Sequence, residues 1–180
     1  FRRVLFRSPL NELQIAMTFS KYEKYHPIFK SCNVGSKGEV WKWCCNCPKC
    51  LFVYTILSPF LYKEKLINIF GEDLFERKDL LKTFIELTGN GDNKPFECVG
   101  TYEEVCFAIS KAIFNIENGL IDNNAEEYDV IKEELPYLLK YYKENFELIS
   151  LKYDLTKLYN PENNLTEEKN KILKEEIFND

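Results

Sequence analysis

The sequence predicts a predominantly α-helical fold with a cysteine-rich loop near its start. Apolar residues recur at helical spacing in several segments that end at glycine or proline. No convincing strand-like alternation occurs, beyond a possible pair of short strands near Phe29 and Val40. Four cysteines with the spacing C-x11-C-x2-C-x2-C stand out between Cys32 and Cys50. Apolar residues make up 45 % of the 180 residues, which is enough for one domain with a real core.

The composition excludes several classes of protein. The net charge of −5 argues against a general nucleic-acid binder, because phosphate binding needs a basic surface. No apolar run reaches the roughly 18 residues that a membrane span needs. The seven cysteines are odd in number and clustered, which fits a reducing cytoplasm better than a disulfide framework. We therefore expect a cytoplasmic protein with neither a nucleic acid nor a membrane as its partner.

The first eight residues, FRRVLFRS, match the translation of a common short-read sequencing adapter. We predict that residues 1–8 are an assembly artefact and exclude them from reasoning about the fold. Without their three arginines, 21 basic residues face 29 acidic ones, and the charge becomes −8. We also expect that an N-terminal part of the protein precedes Pro9. The remainder divides into residues 9–60 with the cysteine loop, a helical domain over 61–150, and a peripheral helical tail over 151–180.

The helices of the first half follow from their apolar spacing and their end signals. A first helix is predicted over residues 9–20, with Pro9 at its first position. A second begins at Pro48, is apolar nearly all round and is therefore expected to be buried. A third over 62–70 stops at Gly71, and a fourth runs from a capping Asp79 to Thr88.

The second half is also predicted to be helical. Residues 101–104 read T-Y-E-E, a capping box that starts a helix reaching about Asn118. Residues 126–146 are again helical, and Pro136 either divides this helix or starts a new one. A charged amphipathic helix is predicted over 166–178.

The clustered cysteines indicate a metal site. Three cysteines within seven residues cannot all pair with one another as disulfides, but all can point at one metal ion. We predict a four-thiolate structural zinc site formed by Cys32, Cys44, Cys47 and Cys50. The alternative is that these are reduced, buried cysteines that pack as small apolar residues. Cys45 is then a spare thiol or an alternative ligand, while His26, the only histidine, is expected at the surface.

Three motifs resemble the family of UDP-N-acetylmuramoyl-L-alanyl-L-glutamate epimerases. They are W-C-x-x-C-P-K-C-x-F-V at 43–53, I-F-G-x-D-L at 69–74 and K-P-F-E-C-V-G-T-x-E-E at 94–104. The resemblance implies the C-terminal part of an isomerase that inverts the terminal L-glutamate of a UDP-muramoyl-dipeptide for peptidoglycan synthesis. It also implies the use of ATP and Mg2+, the release of AMP, and an N-terminal domain of the same chain as partner.

Residues 9–60 are also similar to the C-terminal part of the 7-cyano-7-deazaguanine synthases, which belong to the ATP-pyrophosphatase (PP-loop) group. The matching positions are Pro9, Leu10, Ser31, Cys32, Cys44, Cys47 and Cys50. This resemblance implies the helical C-terminal part of an α/β PP-loop-like enzyme with a structural zinc on four cysteines. The chain departs from that family at Cys45, where glycine is usual.

Inverting an amino-acid α-carbon requires a general base, because the proton to be removed is poorly acidic. The loop over 94–100 is the best candidate, with Glu97 or Cys98 as proton carrier and Lys94 binding a carboxylate or phosphate. Thr101 and Glu104 are predicted to complete the substrate-binding residues. The alternative is a structural role, with Cys98 buried and Glu97 in a salt bridge. Two competing functions remain at this point, another PP-loop ligase that activates a carboxylate and a non-enzymatic zinc-knuckle binding module.

Overall fold

The structure is a computed structural model and describes residues 10–37, 42–93, 95, 100–120 and 134–149. Within these ranges the chain forms six α-helices: α1 (Glu12–Ser20), α2 (Pro48–Leu57), α3 (Lys63–Phe70), α4 (Leu81–Leu87), α5 (Tyr102–Glu117) and α6 (Tyr137–Asn145). Four short 3-10 helical turns accompany them, at Glu23–Tyr25, Gly35–Lys37, Leu74–Glu76 and Lys78–Leu80. No strand occurs in these ranges. The possible strand at Phe29 is therefore wrong, Val40 lies outside the described residues, and the predominantly α-helical prediction is confirmed.

Helix α2 lies at the centre of the fold. Its side chains are buried around its whole circumference, as the sequence predicted, and it contacts α1, α3, α4 and α5. Pro48 occupies the first turn, where its missing N–H costs no helical hydrogen bond. The helix ends at Leu57, just before Ser58 and Pro59, as expected. A helix apolar on every side is stable here because four neighbouring helices cover it.

Helices α1 and α5 both begin with a capping box. In α1 the side chain of Asn11 accepts from the amide of Gln14 at 2.8 Å, and Asn11 N donates to Gln14 Oε1 at 2.9 Å. The predicted start of this helix at Pro9 is wrong, because the Asn11 cap sets its beginning at Glu12. The predicted capping box at the start of α5 is confirmed.

The predicted stop of α3 at Gly71 is confirmed, whereas the predicted cap of α4 at Asp79 is wrong. Gly71 ends α3 in the left-handed conformation, with φ of 96°, which suits a residue without a Cβ. Asp79 does not cap α4, which begins at Leu81 after a 3-10 turn. The carboxylate of Asp79 instead accepts two hydrogen bonds from the Arg77 guanidinium, at 2.8 and 2.5 Å.

Helix α6 adds the last described part of the core. It begins directly after Pro136, so this proline starts a new helix, which was one of the two alternatives. Leu138, Leu139 and Tyr142 are buried, and α6 packs against the turn Leu74–Glu76. The predicted helical residues 126–133, the helix over 166–178 and the tail over 151–180 lie outside the described residues.

His26, the single histidine, is buried, although the sequence predicted it at the surface. His26 is only 7 % exposed because its ring packs on Phe19, with 4.8 Å between ring centroids, and its Nε2 donates to the Phe19 carbonyl at 3.1 Å.

None of the helices in the described ranges has the length and hydrophobicity needed to cross a bilayer.

We expect Leu139→Ala to lower the free energy of unfolding by about 2–4 kcal/mol, because Leu139 is fully buried and its truncation leaves a cavity. The neighbouring substitution Lys140→Ala is the control and should change stability by less than about 0.5 kcal/mol, because Lys140 is exposed. Urea denaturation followed by circular dichroism measures both. Equal stability of the two variants would mean that α6 does not share the core.

Candidate functional site

The structure brings the four predicted cysteines together. The sulfur atoms of Cys32, Cys44, Cys47 and Cys50 all lie within 4.8 Å of one another. Three of the sulfur–sulfur distances are 3.5, 3.7 and 3.9 Å. Four thiolates at about 2.3 Å from one tetrahedral zinc would lie about 3.8 Å apart, so this quartet has the dimensions of a metal site.

Two separate segments build the quartet. Cys44 and Cys47 flank a tight turn, and Cys50 lies in the first turn of α2. Cys32 arrives from the loop after α1, where the amide of Gly35 donates to its sulfur at 3.1 Å. A Cβ on Gly35 would lie 1.8 Å from the carbonyl oxygen of Lys42, so only glycine lets these two segments approach so closely.

The thiols of the quartet differ in acidity. Burial opposes ionisation of Cys32, but hydrogen bonds from the Gly35 amide and from the neighbouring cysteines outweigh it and lower the pKa of Cys32 to about 6. Burial raises the pKa of Cys47 to about 11 and also raises the pKa of Cys50 above its ordinary value. Close thiolates also repel one another, and a bound cation would favour the deprotonated form of its ligands.

Cys45 lies outside the quartet, which decides between the two roles left open for it. Its thiol is buried and donates to the carbonyl of Phe70 at 3.3 Å. This bond joins the turn between Cys44 and Cys47 to the end of α3. Burial, with the nearby carboxylate of Glu72, raises the pKa of Cys45 to about 12. Its φ of 57° lies in the left-handed region, which favours glycine over residues with a Cβ.

The guanidinium of Arg77 links the turn between Cys44 and Cys47 to residues that follow α3. Arg77 donates to the side-chain oxygen of Asn46, between the cysteines, at 2.7 Å. It also bonds both carboxylate oxygens of Glu72 at 3.1 Å and pairs with Asp79. Sequence reasoning missed this link because nothing local relates Asn46 to a residue 31 positions later.

The loop proposed for catalysis is described only at its edges. Lys94, Glu97 and Cys98 lie outside the described residues, whereas Pro95 and the segment from Gly100 onwards lie within them. The outcome for the three side chains is therefore open, and their roles stay predictions.

Glu104 joins the beginnings of two helices. One of its carboxylate oxygens accepts from the amide of Glu12 at 2.7 Å, and the other accepts from the amide of Thr101 at 2.7 Å. Thr101 Oγ1 in turn accepts from the amide of Glu104 at 3.2 Å. The Glu104 side chain is 2 % exposed, so this carboxylate is satisfied by backbone donors at the starts of α1 and α5.

Gly100 packs directly on this junction. A Cβ there would lie 2.7 Å from Glu104 Oε2, 3.1 Å from the Phe52 ring and 3.2 Å from Glu12 Cγ. Lys49, in the first turn of α2, lies over the Phe52 ring at 5.4 Å from its centroid. Partial burial raises the pKa of Glu12 above its ordinary value; Lys49 opposes this shift and Glu104 adds to it.

The starts of α1, α2 and α5 therefore meet where the loop over 94–100 ends. Sequence reasoning missed Glu12 and Lys49 at this place. Glu12 joins Glu104 across 92 positions, and no local pattern announces such a contact. Four thiolates leave no open position on a metal, so the quartet suits a structural role.

We expect Glu104→Ala to lower the free energy of unfolding by about 2–4 kcal/mol, because two partly buried amides would lose a charged acceptor. Glu103→Ala is the matched control, since Glu103 is an exposed neighbour in the same helical turn. Chemical denaturation measures both variants. A loss no larger than that of the control would contradict the role of Glu104 as the link between the helices.

Comparison with known proteins identifies relatives of the chain. The family described as MurL C-terminal domain matches residues 28–119, about half of the 180 residues, including the cysteine quartet and the loop over 94–100. No solved structure is significantly similar.

Curated relatives named UDP-N-acetyl-alpha-D-muramoyl-L-alanyl-L-glutamate epimerase occur in several bacteria. The Micromonospora sp. protein is 41 % identical over 108 residues, which cover 59 % of this chain and 24 % of the relative. The Salinispora tropica protein is 43 % identical over 103 residues (56 % and 22 %), and the Xanthomonas oryzae pv. oryzae protein is 41 % identical over 100 residues (53 % and 22 %). The chain thus spans about a quarter of the length of these relatives. Because the family match covers half of its residues, the chain belongs to the MurL C-terminal domain family.

Proposed function

We propose that the chain is the C-terminal part of an ATP-dependent epimerase that converts the terminal L-glutamate of UDP-MurNAc-L-Ala-L-Glu to D-glutamate. The observation that carries this proposal is the identity of 41–43 % over 100–108 residues to relatives with that name. The family match over residues 28–119, which include the quartet and the loop over 94–100, agrees with it. The product would supply D-glutamate for peptidoglycan, and the reaction would take place in the cytoplasm.

With ATP and Mg2+, the substrate carboxylate would displace pyrophosphate from ATP to form an acyl-adenylate, and water would later hydrolyse this adenylate to return the carboxylate and release AMP. Activation makes the neighbouring α-proton more acidic, so that a side chain of ordinary basicity can remove it. We assign ATP and Mg2+ mainly to the part of the enzyme outside this chain, as in a PP-loop ATP-pyrophosphatase. The residues of this chain would then orient the substrate and move its proton.

We propose Glu97 or Cys98 as the proton carrier and Lys94 as a ligand of a substrate carboxylate or phosphate. Their loop ends at Gly100, directly before the start of α5, whose amide groups and dipole favour negative charge nearby. These groups would lower the pKa of the Cys98 thiol towards a useful range. This support comes from the position of Gly100 beside Glu104 and the start of α5.

Thr101 and Glu104 belong to the same proposed substrate-binding region. The Thr101 hydroxyl is half-buried at the start of α5, next to the loop. Both Glu104 oxygens already accept amide hydrogen bonds. We therefore propose that Glu104 contributes by holding Gly100 and Thr101 in position, while Lys94 and Thr101 are the residues that reach the substrate.

The full-length protein tests the proposed reaction. It is incubated with UDP-MurNAc-L-Ala-L-Glu, ATP and Mg2+ in deuterated water, and both AMP and deuterium at the glutamate α-carbon are measured. We expect both products, because proton exchange and carboxylate activation belong to one reaction. AMP without deuterium would favour the ligase, and neither product from a folded protein would favour a binding module.

The same assay separates the two proton carriers. Cys98→Ser and Glu97→Gln are compared with Cys106→Ser and Glu103→Gln, which change the same residue types outside the loop. A catalytic group should lower the rate of deuterium incorporation by about 100-fold or more, whereas the controls should stay near the unchanged enzyme. Unchanged rates in both loop variants would remove this loop from the chemistry.

We further propose that the quartet binds one structural Zn2+. Support comes from its four sulfur donors, their mutual distances within 4.8 Å and the amide of Gly35 that donates to Cys32. The ion would tie the loop after α1 to the first turn of α2. It would have no open coordination position, so no step of the reaction is assigned to it.

Metal analysis of the purified protein tests the zinc site. We expect about one zinc per chain, and a large loss of zinc in Cys50→Ser because a thiolate ligand is removed. Cys45→Ser is the matched control and should keep its zinc, since the Cys45 thiol binds the Phe70 carbonyl. Equal losses in the two variants would contradict the ligand set, and zinc-free protein from zinc-replete cells would contradict the site.

A further inference from the structure

Three large apolar side chains stand exposed between the end of α1 and the cysteine quartet. Tyr22 is 51 % exposed, Tyr25 47 % and Ile28 72 %. They lie close together, since the two tyrosine rings are 6.4 Å apart and the amide of Ile28 donates to the carbonyl of Tyr25 at 3.3 Å. We refer to these three residues as the junction patch.

Hydrogen bonds hold the backbone that carries the junction patch. Tyr25 N donates to the Tyr22 carbonyl and His26 N to the Glu23 carbonyl, both at 3.0 Å. Glu23 also binds Lys65 of α3 at 2.5 Å. Because these bonds restrain the turn, binding of a partner to the patch would cost little conformational entropy.

The turn that carries the patch packs against the core through Phe19 and Phe29, which are partly buried. Phe19 contacts His26 and Phe29 with ring centroids 4.8 and 4.7 Å apart, and Phe29 contacts Trp43 at 5.4 Å. The inner rings of this turn thus belong to the core next to the quartet, while the outer side chains do not. Exposed apolar groups on so firm a base are typical of a contact surface.

The position of the patch in the family points to its occupant. The matched C-terminal domain begins at residue 28, so α1 and most of the patch precede it, although α1 packs against α2 and α5. The relatives are about four times as long as the aligned region. The patch therefore lies where the C-terminal domain joins the rest of such an enzyme.

The size of the patch favours a covalently linked partner. Its exposed area is on the order of 350 Å², given side chains of this size at these exposures. A stable dimer buries roughly 800 Å² on each partner, far more than the patch offers. A tethered domain meets it at an effective concentration of about the millimolar order, so a small surface is sufficient.

We propose that the junction patch is the contact surface for the N-terminal part of the same polypeptide in the full-length enzyme. The contact would hold the C-terminal domain, with its loop over 94–100, against the part that would carry the remaining substrate-binding residues. This inference depends on family membership and on the exposure of the patch, and its test does not use epimerase activity. Its failure can therefore be told apart from a failure of the proposed reaction.

Photo-crosslinking of the full-length protein tests the proposal. Benzoylphenylalanine replaces Ile28, and after irradiation the crosslinked peptides are identified by mass spectrometry. We expect crosslinks within one chain, at monomer mass, to peptides that precede α1. The same probe at Leu120, which is 53 % exposed, is the control and should not capture those peptides with comparable yield.

Each other outcome would overturn the proposal. A product of doubled mass would assign the patch to a second copy, and capture of residues 150–180 would assign it to the end of this chain. Absence of crosslinks, or equal capture from position 120, would show that the N-terminal part does not cover the patch. Unchanged circular dichroism and zinc content establish that each probe-bearing protein is folded.

A second variant measures the strength of the contact. Ile28→Asp in the full-length protein places a charge in the proposed apolar interface, and Leu120→Asp is the matched control. We expect limited proteolysis just before α1 to become several-fold faster in Ile28→Asp only, because the two parts separate more often. Equal proteolysis of both variants and the unchanged protein would contradict the contact.

Discussion

Helix α2 is the element on which the rest of the structure depends, because it belongs both to the cysteine quartet and to the packed core. Its first turn supplies Cys50 to a quartet of sulfur atoms within 4.8 Å of one another, while its body packs against four other helices. A metal bound there would therefore stabilise the core directly, since the same helix belongs to both. Conversely, the packing of α2 against four helices holds Cys50 in position, which lowers the conformational cost of assembling the site.

The second constraint is a single buried carboxylate. The Glu104 carboxylate accepts hydrogen bonds from the backbone amides of Glu12 and Thr101. It therefore holds the starts of α1 and α5 together beside Gly100. Helix starts present amide donors and a partial positive charge, and one carboxylate between two of them satisfies both. As a result, the loop over 94–100 ends at a rigid point. A loop with a fixed end can present side chains to a substrate with less freedom than one between mobile elements.

The cysteine quartet and the junction at Glu104 would have different roles in the proposed function. The quartet has the chemistry of a structural site, because four thiolates fill the coordination shell of zinc. The junction of helix starts fixes the end of the loop in which we propose the proton carrier, Glu97 or Cys98. Their common element is the first turn of α2, in which Cys50 follows Lys49 directly. The junction patch lies at the other end of α1, so substrate handling and contact with the rest of the enzyme would occupy opposite ends of one helix.

Local sequence determined most of the secondary structure and the identity of the cysteine quartet. The capping box at Thr101, the stop at Gly71 and the all-apolar α2 are signals carried by a few neighbouring residues, which is why they could be predicted. Only the tertiary structure decided that Cys45 binds the Phe70 carbonyl, that His26 is buried against Phe19 and that Glu104 joins two helices. Each of these depends on a side chain that meets a partner from a different element. The physical reason is that helix signals act over a few residues, whereas burial and long-range hydrogen bonds exist only once the helices have packed.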